Sequence, residues 1–291
     1  AAIHKSSQLP AETDIMVASM DGVNVLLREQ GAVQGRPAER PRSKEKAGKQ
    51  TAYRNAMTGV VSLYAFPADP LQRPDRLQSR YTARMPQNRA VTFKEQFEQE
   101  IRAAEAQATP DIIKIFLCDG HRGIWSYAQD NPLYGRYEKL LDFYHSTEHL
   151  SRASEALFGK GSERGQAWYN RWRVKLLEQE DAAAALIRSI AYYIRQVSLS
   201  KSRSKAARAE KTFFERNKHL MRYADFLRRG LPIGSGPVEA ACKSIVKTRL
   251  CRSGMRWSRQ GGQYILDLRC FVKSNRWDTF WKEYVRLKRA S

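Results

Sequence analysis

The chain has 291 residues, 42% of them hydrophobic, which is enough for a sizeable core and excludes wholesale disorder. Its 51 Lys and Arg against 30 Asp and Glu leave a net charge of +21. An enzyme of small neutral substrates has no need of such an excess. The charge points to an anionic partner, nucleic acid first and an anionic membrane surface second, although no segment has the clean apolar face of a membrane anchor.

Residues 14–28 (DIMVASMDGVNVLLR) read as a strand, or as two strands joined by a tight turn at Asp21-Gly22. Residues 35–50 form a Pro-, Gly- and charge-rich stretch, expected as a mobile loop. Residues 56–66 (AMTGVVSLYAF) predict another strand, and 67–90, with four prolines, a long irregular connection. From Val91 to Gln107 the spacing of Phe93, Phe97, Ile101 and Ala104 is helical, with Thr92 as the expected N-cap. The Ile-rich run 111–118 (DIIKIFLC) predicts a buried central strand that ends at Asp119-Gly120. A short helix near Trp125 and a short strand within 137–144 follow. The pattern is then helical over 145–160 and 163–229. GLPIGSG at 230–236 breaks it, a helix restarts at Pro237 and runs to about Leu250, and two more helices close the chain. Strands interleaved with helices and then a helical block predict an α/β sheet domain interrupted by an all-helical insertion. The boundaries read as 1–160 for the first part of the sheet domain, 161–218 for the insertion and 219–291 for the second part.

Cys118, Cys242, Cys251 and Cys270 contain no C-x-x-C pair, so they read as ordinary buried thiols rather than a zinc ribbon. No apolar run approaches the roughly 18 residues of a spanning helix. The sequence begins AAIHKSSQLP, without Met, and reads as a piece of a longer protein.

Two-metal phosphoryl transfer needs only two or three carboxylates on different elements, because Mg²⁺ keeps waters and phosphate oxygens among its ligands. Asp21 in the first strand, Asp119 at the end of the buried strand and Glu239 in the first turn of the late helix are the candidates. Each has a plainer reading: a hairpin turn, a strand end, and a helix-start acid paired with Lys243. Their order along a very basic chain favours the catalytic reading.

At these residues the sequence resembles a known family. The stretch from Leu231 onward, LPIGSGPVEAACKSIVKTRLCRSGMRW, is similar to the C-terminal catalytic block of bacterial insertion-sequence transposases of the ISKra group. ASMDGV around Asp21, FLCDGHRGIW around Asp119 and LDFYHSTEHL at 141–150 agree in order. The resemblance implies a ribonuclease-H-like mixed sheet flanked by helices, with a helical insertion. It implies Asp21, Asp119 and Glu239 as metal-binding catalytic acids, served by Mg²⁺ with Mn²⁺ able to substitute. Asp142 and His145 match an accessory D-x-x-H signature of related families. The implied partners are transposon-end and target DNA, and joining two ends calls for at least a dimer, in the cytoplasm at the nucleoid. Full-length relatives carry a longer N-terminal region, expected to recognise transposon ends.

His145, Glu148 and His149 also match H-x-x-E-H, the inverted zinc-peptidase motif, with Glu210 or Glu215 as a conceivable third ligand. A peptidase leaves the +21 charge unexplained. A non-catalytic DNA-binding remnant of a transposase is the other rival. Candidate DNA contacts are Lys243, Lys247 and Arg249 on the Glu239 helix, and Arg252, Arg256, Trp257 and Arg259 after it, where an aromatic among arginines suits an unpaired base. Lys201, Arg203, Lys205, Arg208 and Lys211 read as a further backbone-binding strip. Trp168 and Trp172, four residues apart, read as core of the insertion.

Overall fold

The computed structural model describes residues 8–28, 53–69 and 72–290; the charged loop expected at 35–50 lies outside them. Five strands form one mixed sheet. They are β1 (Ile15–Leu26), β2 (Tyr53–Ala65), β3 (Asp75–Arg84), β4 (Ile113–Cys118) and β5 (Glu138–Leu141), in the order β3-β2-β1-β4-β5. β1 and β2 run antiparallel, from Ile15 opposite Tyr64 to Leu26 opposite Tyr53, and β4 and β5 run parallel. With helices flanking it, the sheet has the ribonuclease-H-like α/β arrangement.

β1 is one uninterrupted strand. Asp21 lies opposite Thr58 and Gly22 opposite Met57, so Asp-Gly here is not a hairpin turn. A side chain at position 22 would crowd Asn55, its Cβ falling 3.1 Å from the amide nitrogen.

The described chain divides into two compact units. Of the described residues, the first holds 8–28, 53–65, 76–114 and 236–290; the second holds 66–69, 72–75 and 115–235. In the first, α1 (Val91–Glu105) buries Phe93, Phe97, Ile101 and Ala104, the stripe expected from the sequence. Phe97 packs on β2 at Gly59, where a Cβ would fall 2.5 Å from its ring, so only glycine admits the helix this closely. Thr92 does not cap this helix. Its N-cap is Ala90, left-handed at φ 51°, after an equally left-handed Arg89.

β3 occupies part of the stretch expected to be irregular. Its sequence, DRLQSRYTAR, lacks an apolar run because the strand lies at the sheet edge, where polar side chains are the rule. One residue of it is buried without exposure. Arg80 faces Glu100 of α1 at 3.6 Å, and Glu100 takes a bidentate pair of bonds from Arg276 at 2.6 and 2.7 Å.

The late helix begins as α8 (Gly236–Ala241) but does not continue as α-helix to Leu250. Cys242–Lys247 form a π-helical segment before the last turn, Thr248–Leu250. Two carbonyls in this wider winding find side-chain donors: Thr248 Oγ1 on Lys243 O at 2.8 Å, and Arg269 on Ser244 O. Val238, Ala241, Cys242, Ile245, Val246 and Leu250 stay in one core cluster with Val23, Val25 and Leu27 of the β1 end. α9 (Arg259–Lys273), capped by Ser258, adds Leu266 and Cys270, and α10 (Trp277–Ala290) ends the chain. Cys118, Cys242 and Cys270 are buried, whereas Cys251, beyond the helix end, is exposed.

The second unit contains α2 (Arg122–Asp130), α3 (Phe143–Phe158), α4 (Glu163–Glu178), α5 (Ala182–Gln196), α6 (Lys201–Asn217) and α7 (Tyr223–Arg228). α3 packs against α4 and α6, and α5 against α6. Trp168 and Trp172 are core, as expected, the former bonded through Nε1 to Ser189 Oγ at 3.1 Å. Arg203 is not free for a DNA backbone. Its guanidinium donates to the carbonyls of Ala156 and Leu157 at 3.0 and 2.9 Å, satisfying the end of α3. Lys211 pairs with Glu215, which leaves Lys201, Lys205 and Arg208 exposed on that strip.

Candidate active site and nucleic-acid surfaces

Within the first unit, the strand bearing Asp21 meets the helix bearing Glu239. Side chains alternate along a strand, so Asp21 shares its face with Val23 and Val25, both in the cluster that receives the late helix. The contact reaches the acid itself: Cys242 Sγ donates to Asp21 Oδ2 at 3.4 Å. The other oxygen, Oδ1, takes the Gly22 N–H at 2.6 Å. Glu239 precedes Cys242 by three residues, which puts the two side chains on neighbouring turns of one helix side. Val238 is buried while Glu239 is exposed. Burial, and then the adjacent Asp21 charge, push the Cys242 thiol far above its usual range. It is therefore a hydrogen-bond donor to the carboxylate and not a thiolate.

In the second unit, Asp119 directly follows β4. Its carbonyl takes the Trp125 indole N–H at 2.6 Å and its Oδ1 the His121 N–H at 3.0 Å. Gly120 is needed for what lies beside it. A Cβ there would fall 2.7 Å from the Phe213 ring and 3.4 Å from His145 Nε2, so His145 is a close neighbour of the Asp119-Gly120 turn.

Asp142 is fully buried and acts as a clamp. Oδ1 caps α3 through the His145 N–H at 2.6 Å, and Oδ2 accepts from the Ser235 N–H. The Phe143 N–H bonds Ile233 O at 3.0 Å, so residues 233–235 are tied to the start of α3. Gly234 permits it, since a Cβ there would fall 2.8 Å from the Tyr144 ring. α8 begins with the very next residue after Ser235. The sequence marks Asp142 only by the D-x-x-H resemblance; a strand end followed at once by an Asp N-cap is the local signal that identifies its cap.

The chemistry of the donors suits a hard cation. Asp21, Asp119 and Glu239 offer only carboxylate oxygens, and Cys242, whose sulfur touches Asp21, has its thiol pushed up by burial and stays protonated. Among the described residues, no three His, Cys, Asp or Glu side chains gather as a metal-binding group. That includes the H-x-x-E-H segment. His149 Nδ1 is bonded to Glu210 at 2.6 Å and its ring stacks on Phe213 with centroids 3.3 Å apart. Arg152 adds a second contact to Glu210, and Glu215 is held by Lys211, so both conceivable third ligands are engaged elsewhere. Burial lowers the His149 pKa, although Glu210 works against it.

Lys243, Lys247 and Arg249 are exposed, as are Arg252, Arg256 and Arg259. Trp257 is not a free stacking platform. It is half-buried against the core cluster, and its backbone extends the end of β1, its N–H to Leu26 O at 3.1 Å and its carbonyl from Arg28 N–H at 2.9 Å. Arg28 Nε also bonds Arg256 O at 3.1 Å, and Arg259 bonds Pro86 O. This loop is thus moored to the strand that carries Asp21. Sequence reasoning missed the Cys242 contact, the Phe213 and His145 packing at Gly120, and a cleft lined by Arg122, Lys139 and Arg216 in the second unit. Nothing in local spacing announces such long-range meetings.

No family model matches the sequence, and no curated protein matches it. Among solved structures, the Drosophila P element transposase strand transfer complex is similar over 97% of this chain and 68% of that chain, at 10% identity and a TM-score of 0.31. A likeness so slight adds nothing to what the strand order defines. No helix among the described residues is long and apolar enough to cross a membrane.

Proposed function

We propose that this chain is the catalytic core of a DDE DNA transposase of the ISKra insertion-sequence group, with Asp21, Asp119 and Glu239 as the acids that hold two Mg²⁺ ions. The observation that carries the reading is the seating of the Glu239 helix on the Asp21 strand, marked by the Cys242–Asp21 contact at 3.4 Å. The ribonuclease-H-like strand order, with β4 ending at Asp119, supports it, and so does the +21 charge. The resemblance from Leu231 onward names the group.

Mg²⁺, or Mn²⁺ in its place, would be held by the carboxylates of Asp21, Asp119 and Glu239 and would supply activation of a water or 3′-hydroxyl and stabilisation of the leaving oxygen. The chain's own residues do the rest. Gly22 N–H orients the Asp21 carboxylate, and Trp125 and His121 hold Asp119 at its carbonyl and its carboxylate. Asp142 fixes Ser235, from which the Glu239 helix departs. Lys243 and Lys247 draw the DNA backbone. The reaction is hydrolysis of a phosphodiester at a transposon end, followed by attack of the freed 3′-hydroxyl on target DNA. A solvent or DNA hydroxyl is the nucleophile, so no Ser or Tyr adduct forms. Two ends must be joined, so the working form on DNA is at least a dimer, in the cytoplasm at the nucleoid.

The test is nicking of transposon-end DNA with Mg²⁺ or Mn²⁺, compared with Asp119→Asn, Asp21→Asn and Glu239→Gln. Metal-dependent nicking that each substitution abolishes is the expected result. DNA binding with no metal-dependent nicking in the parent chain would establish a binding remnant instead. Stoichiometric zinc by elemental analysis would revive the peptidase reading.

A further inference from the structure

The mechanism above uses Trp125 but leaves unused the cleft, beside Asp119, that this side chain walls. It has a volume of about 790 Å³ and lies wholly within the second unit, between α2, the start of β5 and the end of α6. Gly120 and Trp125 form its wall on the Asp119 side. The Trp125 indole is the group that donates to Asp119 O at 2.6 Å, so cleft and acid share one side chain. Arg122, Lys139 and Arg216 line it, from three different elements. None of the three has an acidic partner among the described residues. The remaining arginine of the lining, Arg222, is spent on Glu138 at 3.0 Å. Three uncompensated cations converging on one concave surface favour an anion with several charges. The ring of Trp125 adds an apolar wall that a phosphate alone would not use.

Size decides which form of nucleic acid fits. A volume of 790 Å³ equals a cube roughly 9 Å on edge, narrower than the roughly 12 Å major groove of B-DNA by itself. It falls within the roughly 300–1,000 Å³ of pockets that enclose drug-sized ligands, about the size of one or two nucleotides. Cations for the backbone and an aromatic face for a base are the combination by which proteins hold single strands.

We propose that this cleft binds an unpaired stretch of one or two nucleotides, with phosphates on Arg122, Lys139 and Arg216 and a base against Trp125, and leads that strand to Asp119. The assignment rests on the reading of DNA as the substrate but adds a strand-specific site to it. Duplex is left to the exposed cations after Glu239, so the two surfaces divide the work.

The experiment is fluorescence-anisotropy titration of the full chain with a short single-stranded oligonucleotide and, separately, with a duplex of the same length. Two variants are compared with the parent. Arg122→Gln/Lys139→Gln/Arg216→Gln removes the charge, and Ser126→Trp fills the cleft from its exposed lip without touching charge. Both are expected to weaken single-strand binding at least tenfold and duplex binding less than threefold. The triple variant is expected to lower the salt slope for the single strand by about 2, at roughly 0.7 per phosphate released. Unfolding midpoints check that each variant folds, and if the triple variant does not, Ser126→Trp decides alone. Single-strand affinity unchanged in the folded variants would overturn the cleft assignment. Equal weakening of duplex and single strand would overturn it too, since the cleft would then be ordinary backbone surface. Nicking is scored in parallel with Asp119→Asn. Loss of nicking there, with single-strand binding untouched by the cleft variants, sinks the cleft and leaves the transposase standing. A parent chain that binds neither form sinks both.

Discussion

Asp142 gives both carboxylate oxygens to backbone N–H groups, that of His145, part-buried, and that of Ser235, buried. Asparagine keeps one acceptor oxygen and replaces the other with a donor. It can still cap α3, since Asn is a good N-cap, but the Ser235 N–H is then faced by an NH₂ in a site without solvent. Asp142→Asn is expected to cost about 1–3 kcal/mol by chemical unfolding, the range for a buried donor left unsatisfied. Nicking should fall even where the variant is fully folded, because Ser235 precedes the helix of Glu239. A variant with parental stability and activity would refute the clamp. The residue scale also shows what the sequence makes legible. Asp21, Asp119 and Glu239 stand out because each interrupts an apolar pattern at an element's edge or middle. The hairpin alternative for Asp21 stays open in the sequence, since Asp-Gly serves turns and mid-strand alike. Only the unbroken ladder with β2 decides it. Cys242, which touches Asp21, looks in the sequence like any other core thiol, for its role depends on a residue 221 positions away.

Among elements, those with strong periodicity were readable and those held by non-local charge were not. α1 shows its buried stripe in four residues. β3 hides, because the residue that fastens it is an arginine. Arg80, Glu100 and Arg276 link β3, α1 and the residue before α10, all at 3% exposure or less. Burial lowers the Arg80 pKa and the Glu100 charge works against that. Glu100→Gln would remove the negative charge that faces two buried guanidinium groups, and is expected to destabilise by roughly 3–5 kcal/mol, the usual cost of removing one partner of a buried pair. A urea midpoint giving less than 1 kcal/mol would show the cluster to be dispensable. The π segment after α8 is equally hidden, since one of the donors that satisfy its carbonyls, Arg269 on Ser244 O, comes from another helix. A pH effect belongs to α3. His149, faced by Glu210, Arg152 and His145, has its pKa lowered by burial. The folded chain therefore holds this ring neutral where the unfolded chain would protonate it. The contribution is complete above the unfolded value of about 6.5 and is lost as pH falls through the folded value. His149→Gln removes the titration and keeps a donor for Glu210. Melting temperatures from pH 7.5 to 5 should fall more steeply for the parent than for this variant, and parallel curves would contradict the assignment.

For the molecule as a whole, charge is the property that composition states most plainly and folding leaves most exposed. Lys243, Lys247, Arg249, Arg252, Arg256 and Arg259 all remain at the surface. Each cation that neutralises a duplex phosphate releases condensed counterions, with a slope of about −0.9 in log K against log salt. If all six engage, duplex binding should fall with a slope near −5, so that a fourfold rise in salt costs about a thousandfold in affinity. Lys243→Gln/Lys247→Gln should reduce the magnitude of the slope by about 2 and weaken unrelated duplexes to the same degree, because phosphate contacts position DNA without reading its sequence. The reason to measure slopes rather than single affinities is the +21 net charge itself. A chain so basic is expected to adhere to DNA at low salt through many faces, and an affinity at one ionic strength would not separate a dedicated surface from that background. A double variant whose slope matches the parent's would place the duplex on some other face, and would leave Lys243 and Lys247 as solvated cations beside Glu239.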